Sequence, residues 1–111
     1  MTLSHRNGVP VMVDAAAMLP PKENLTKFVE LGADLVIFSG GKFIGGPQST
    51  GLLFCNKNLV ESALLNSGPN PSIGRPQKVG REELVGMVTA LESVSYTHLR
   101  AHETEAELVC R

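Results

Sequence analysis

Two short apolar runs, separated by the length of one amphipathic helix, constrain the fold of this chain more than any other feature. Val9-Pro10-Val11-Met12-Val13 is almost continuously apolar and ends at Asp14; Asp34 to Phe38 is a second run, rich in Leu, Val and Ile. Such runs, without strict alternation, are expected of strands buried on both faces, as in parallel sheets. Between them Pro20-Pro21 cannot continue a strand. Leu25, Phe28, Val29 and Leu31 then recur at helical spacing over Lys22–Leu31, with Gly32 as the C-cap. Strand, helix of about ten residues, strand is a βαβ unit, which implies parallel pairing through a right-handed crossover. The expected fold class is therefore α/β. Such sheets take ligands beyond the carboxyl ends of their strands, where Asp14 and the Ser39–Lys42 loop both fall.

Further along, Gly51–Cys55 reads as a third strand, entered through a loop with four glycines and one proline between Gly40 and Pro47. Leu59–Leu65 reads as a short helix capped by Asn56 or Asn58. Gly68 to Gly80 carries three prolines and three glycines, which predicts an extended excursion without regular structure. Arg81–Glu92 is an amphipathic helix whose expected core stripe is Leu84, Val85, Val88 and Leu91. With 111 residues the chain can hold one core and not two full domains. A net charge of −1 gives no electrostatic footprint for nucleic acid. No apolar run approaches the roughly 18 residues of a membrane span, and Met1–Gly8 has no apolar core of a secretory signal. Cys55 and Cys110 lack metal-ligand spacing and read as reduced thiols of a cytoplasmic protein, Cys55 packing as a small apolar residue. His5, ahead of the first strand, is expected to be solvated.

The chemistry is concentrated in Phe38-Ser39-Gly40-Gly41-Lys42-Phe43-Ile44-Gly45-Gly46-Pro47-Gln48. A lysine on a glycine-rich loop, with a serine three residues earlier and an acid at a neighbouring strand end, suits pyridoxal 5'-phosphate (PLP). The amine can form a Schiff base and the Asp can keep the pyridine nitrogen protonated. Each residue alone also has an ordinary explanation: Gly-Gly-Lys as a solvated turn, Asp14 as an N-cap, Gly45–Gly51 as a hairpin-like connection, Arg75 as a brace of its own loop. A phosphate-binding P-loop is excluded, because no glycine stands five residues before Gly41 and Lys42 is followed by Phe43.

Over Val11–Pro21, Gly32–Gly51 and Gly74–Glu92 the chain resembles the selenocysteine synthase (L-seryl-tRNA(Sec) selenium transferase)-like family of fold-type I PLP enzymes. The similarity covers nearly everything from Gly8 to Glu92, and its Asp-Ala-Ala-Ala-x-Leu-Pro-Pro and Gly-Arg-Pro-x-Lys-Val-Gly runs favour the D-glucosaminate-6-phosphate ammonia lyase-like branch. This resemblance implies part of a fold-type I large domain over residues 1–93: a three-layer α/β/α arrangement with a mostly parallel sheet, incomplete here. It implies Lys42 as the Schiff-base lysine, Asp14 as the partner of the pyridine nitrogen and Ala16 against the ring face. Ser39 would contact the cofactor phosphate, helped by backbone amides at Gly40 and Gly41. Gln48, Ser49 and Thr50 would also help hold phosphate, in the same or a neighbouring subunit's site, and Arg75 a substrate carboxylate or phosphate. The implied reaction is an elimination on an amino acid or amino sugar acid in a homodimer or larger homo-oligomer, with tRNA not favoured. The rivals are an enzyme of the cysteine desulfurase or class V aminotransferase type, which usually has a His where Gly41 stands, and a non-catalytic α/β module. The fragment itself is expected to be inactive.

Val94–Thr104 resembles the translation of a transposase-type sequencing adapter, and Leu108–Arg111 its far end. The natural sequence is therefore expected to stop near Ser93, with 94–111 a non-native tail. On that expectation the i, i+4 pair His98 and His102 carries no metal role, and no metal is expected elsewhere.

Overall fold

The computed structural model describes residues 1–103, with side chains through Ser95. In chain order it contains α1 (Thr2–Arg6), β1 (Met12–Asp14), α2 (Asn24–Glu30), β2 (Leu35–Ser39), β3 (Gly51–Cys55), α3 (Lys57–Leu65), a 3-10 turn (Arg75–Gln77) and α4 (Arg81–Glu103). The strands form one sheet in the order β1-β2-β3. β1 runs parallel to β2, with Met12 opposite Leu35 and Asp14 opposite Ile37. This is the βαβ unit read from the sequence, and Gly32, at φ +103°, supplies the left-handed residue that ends α2.

β3 pairs antiparallel with β2, from Leu35 opposite Cys55 to Ser39 opposite Gly51. The described sheet is therefore mixed, where a mostly parallel one is expected. The Gly40–Thr50 segment works as a long hairpin, prolonging the ladder through Gly40 N–H to Thr50 O at 2.9 Å.

Strand alternation sorts the side chains into two faces. Val13, Val36, Phe38, Leu52 and Phe54 point one way and meet Leu25 and Phe28 of α2, Met87 and Ala90 of α4, and Ile44 of the hairpin. Val36 and Phe38 are fully buried, and Phe38 meets Phe54 edge-on with centroids 6.0 Å apart. On the other face lie Met12, Leu35, Ile37, Leu53 and Cys55, with Met12 58% and Leu53 42% exposed. No helix layer among the described residues covers that face. The strands are thus not buried on both sides, and two of the three expected layers are described.

The stripe that α4 buries also differs from expectation. Leu84, Val85 and Val88 are 50, 65 and 56% exposed, while Met87 is 6% exposed. The cause is close approach: a Cβ on Gly86 would come within 2.9 Å of Pro47 Cγ, so the small-residue side of the helix faces the hairpin. The excursion after α3 is not wholly irregular either, because Pro76 sits inside the 3-10 turn, where its fixed φ and missing N–H fit. α1 is short and was not expected.

Candidate functional site

The carboxyl ends of β1 and β2 carry the sequence-predicted residues. Asp14 is the last residue of β1 and is exposed. Its Oδ1 accepts the Ala16 N–H at 3.1 Å, which closes a turn after the strand and leaves Oδ2 without a partner among the described residues. The next loop is tied to this one through Ser39 N–H to Ala16 O at 3.4 Å. Asp14, Ala16 and Ser39 therefore form one cluster at adjoining strand ends. By alternation Asp14 and Ser39 share the open face of the sheet. The Ser39 hydroxyl makes no hydrogen bond among the described residues, and Ala16 is half-buried.

Lys42 lies three residues beyond Ser39 and is exposed, with no ion-pair partner among the described residues. Its loop is compact. Gly45 N–H donates to Lys42 O at 2.9 Å, and Gly46 N–H donates to Gly40 O at 2.8 Å. The glycines at 40 and 41 serve this internal packing. A Cβ on Gly40 would lie 2.1 Å from Thr50 Oγ1, and one on Gly41 would lie 2.7 Å from Gln48 Cα. The Gly40 amide is already spent on Thr50 and is not offered to a ligand.

The remaining candidates are placed less directly. Gln48 Nε2 donates to Gly41 O at 3.0 Å, fastening the loop, and the residue is exposed. Thr50 is 7% exposed, and its hydroxyl donates to Pro47 O at 2.6 Å. Ser49 Oγ donates to Glu83 Oε2 at 2.5 Å. The Arg75 guanidinium donates through Nη1 to Pro69 O, which braces its own loop and leaves further donors on an exposed side chain. The side chains of His98 and His102, and all of Cys110, lie outside the described residues. Among the described residues no group of three or more His, Cys, Asp or Glu side chains could hold a metal ion.

Three hollows among the described residues lie away from this cluster. One of about 410 Å³ lies beside α2 and β3, lined by Leu25, Val29, Ala33, Asp34, Phe54 and Cys55. A second of about 580 Å³ runs between α2 and α4, and a third of about 260 Å³ lies by His5 and Asp34. None touches Asp14, Ser39 or Lys42.

One polar hub escaped the sequence. Asp34 accepts the Val11 N–H at 2.7 Å and the Asn56 amide at 2.7 Å, and pairs with His5 Nε2 at 2.7 Å. It fastens α1, the entry to β1 and the start of α3 together at the amino end of β2. These bonds, the Val11 N–H foremost and then His5, hold its carboxyl below the usual range. His5 is therefore bonded and not merely solvated. Asn56 occupies the N-cap of α3, but its side chain serves Asp34 and makes no capping bond.

The residues present fit PLP. Among the described residues a primary amine without an ion pair, a hydroxyl without a hydrogen bond and a carboxylate with a spare oxygen stand at the carboxyl ends of two parallel strands and in the loop that follows, next to a half-buried alanine. The fold is that of an incomplete α/β domain with a three-stranded mixed sheet. The sequence profile described as Aminotransferase class-V matches residues 1–80, and the chain belongs to that family, one of PLP-dependent enzymes.

Among curated proteins it is 36% identical over 107 residues to a 5'-C-glycyluridine monooxygenase-decarboxylase from Streptomyces sp, covering 96% of this chain and 24% of that protein. It is 36% identical over 91 residues to D-glucosaminate-6-phosphate ammonia lyase from Salmonella typhimurium (82% and 22%). It is 32% identical over 100 residues to L-seryl-tRNA(Sec) selenium transferase from Aquifex aeolicus (81% and 21%). The chain thus spans less than a quarter of the length of each of these relatives. The first alignment runs past residue 93, beyond the point where the natural sequence is expected to stop.

Proposed function

We propose that this stretch is the cofactor-gripping part of a PLP-dependent lyase or transferase acting on an amino acid or amino sugar acid. Lys42 carries the cofactor and Asp14 faces its ring nitrogen. The observation that carries the reading is the pairing of an unpartnered amine loop with a carboxylate strand end across the Ser39–Ala16 tie. PLP, when bound, supplies an electron sink for a carbanion at the substrate's α-carbon.

The chain's own groups do the rest. Asp14 retains an unpaired oxygen that can hold a proton at a heteroaromatic nitrogen by Coulomb attraction. The Lys42 amine, without an ion-pair partner among the described residues, would take a proton from the substrate's α-carbon. The Ser39 hydroxyl can donate to a phosphate oxygen, and Ala16 leaves space for a planar ring. The second N–H of the Gln48 amide and the unused Arg75 donors are offered to phosphate or carboxylate groups, within the same subunit or a neighbouring one of a homodimer, while the Ser49 and Thr50 hydroxyls are held by Glu83 and Pro47 O. A leaving group at the β-carbon gives an elimination, the chemistry that the lyase relative's name implies.

A second reading, oxidative decarboxylation of a glycyl-nucleoside, is favoured by the match that covers 96% of the chain. A non-catalytic module is opposed by the retained amine, carboxylate and hydroxyl together.

The test uses the full-length protein carrying this sequence. It should purify with a visible-absorbing cofactor that borohydride fixes to Lys42, and Lys42→Ala should abolish that mass addition. Release of ammonia and a keto acid from D-glucosaminate 6-phosphate supports the elimination. Oxygen consumption with 5'-C-glycyluridine instead selects the second reading. Absence of any reducible adduct at Lys42 overturns both.

A further inference from the structure

The hairpin that carries Lys42 is bonded within itself and also packs against a helix. Its bonds from Gly40 to Thr50 shape the loop but do not tie it to the rest of the molecule, and Gly45 sits at φ +78° with nothing within 4 Å of a Cβ. What fixes it is one side of the first two turns of α4. Met87 is 6% exposed, and its sulfur lies 3.4 Å from Thr50 Oγ1. It also occupies the space that side chains at Gly40 and Gly46 would need, at 2.8 and 3.2 Å from those built Cβ positions. One turn earlier Glu83 accepts the Ser49 hydroxyl at 2.5 Å. Gly86, between them, lets Pro47 rest on the helix backbone. Three consecutive contacts, at Ser49, Pro47 and the Gly40–Thr50 pair, thus clamp the segment to a single rigid helix.

We infer that Glu83, Gly86 and Met87 of α4 are positioning residues for Lys42, fixing the loop so that the amine is presented at the distance a ring bonded to Asp14 requires. The inference rests on the function proposed above. Lys42 is two residues from Gly40, whose own position is set by Thr50 and Met87, so a shift of the clamp becomes a shift of the amine. None of the three need touch cofactor or substrate. Asp14 and Ser39 belong to β1 and β2 and are placed by the strand ladder itself.

The full-length protein provides the test, with Met87→Ala and Glu83→Leu as disrupting variants. Met87→Leu keeps the volume, Glu83→Gln keeps an acceptor for Ser49, and Val85→Ser on the exposed side of α4 is the control. Two quantities are read: the rate at which PLP is released to a carbonyl trap, and the rate at which an amine-specific label modifies Lys42 in the cofactor-free protein. Misplacement of a reacting group by about 1 Å costs on the order of a hundredfold. Both disrupting variants are therefore expected to release PLP roughly ten- to a hundredfold faster and to change the labelling rate of Lys42. The two conservative variants and Val85→Ser should stay near the parent. Release and labelling rates in Glu83→Leu and Met87→Ala that match those of Val85→Ser overturn the inference; should Met87→Ala fail to fold, Glu83→Leu decides alone. If the parent forms no adduct at Lys42, the proposed function fails, and the cofactor-free labelling still reads the clamp.

Discussion

Replacing Gly40 with alanine is the sharpest small perturbation of this structure. The added Cβ would lie 2.1 Å from Thr50 Oγ1, 2.8 Å from Met87 Sδ and 2.9 Å from the Thr50 carbonyl oxygen. A methionine terminus can swing aside, but the carbonyl is backbone and already accepts the Gly40 N–H at 2.9 Å. Relief therefore requires the Gly40–Thr50 pair to open. Overpacking of this kind costs about 1–3 kcal/mol, and loss of one backbone hydrogen bond adds about 1 kcal/mol, so the variant should lose about 2–4 kcal/mol. Gly45→Ala is the matched comparison. It has open space around it and a φ of +78°, so its cost is backbone strain alone, about 1–2 kcal/mol. Urea unfolding of the full-length protein, monitored by far-UV circular dichroism, measures both. Gly40→Ala should also weaken PLP retention more than Gly45→Ala does, because it opens the loop at its root. Equal destabilisation by the two, or a Gly40→Ala variant as stable as the parent, would refute the steric reasoning.

Phe38→Ala removes a fully buried ring that meets Phe54 edge-on, and should cost about 3–5 kcal/mol of unfolding free energy by denaturant titration. Asp34 titrates below its ordinary value of 3.8 because its native partners favour the carboxylate. Its contribution is therefore present above the unfolded value and lost as pH falls through the lower folded value. Asp34→Asn should flatten the stability–pH profile in that acidic window, and an unchanged profile would count against the hub. The 111-residue chain expressed alone should self-associate, since Met12 and Leu53 sit on an uncovered sheet face beside Leu35 and Ile37; a monodisperse monomer by light scattering would contradict this.

The parts of the fold legible in the sequence were those governed by short-range pattern. The βαβ unit follows from two apolar runs and a helical repeat, and it brings Asp14 and the Ser39–Lys42 loop to one edge before any contact is known. Strand direction after the hairpin was not legible, because Gly51–Cys55 has the same apolar character whether it runs up or down. The packed side of α4 was missed for a related reason: Gly86 and Met87 matter through close approach, while the stronger aliphatic stripe of Leu84, Val85 and Val88 faces outward. His5 and Asp34 pair across 29 positions of sequence, a separation that no periodicity reports. The roles of Gly40, Gln48 and Thr50 illustrate the converse. Their pattern suggests a phosphate cradle, and their geometry spends the Gly40 backbone N–H, one N–H of the Gln48 side-chain amide and the Thr50 hydroxyl within the loop itself.

The most direct measurement is a crystal structure of the full-length protein grown with PLP. Continuous density should join the Lys42 Nζ to the cofactor, with an Asp14 carboxylate oxygen at hydrogen-bond distance from the ring nitrogen. Cofactor bound through another lysine, or Asp14 and Lys42 turned to different sides of the sheet with no ring between them, would contradict the proposed site.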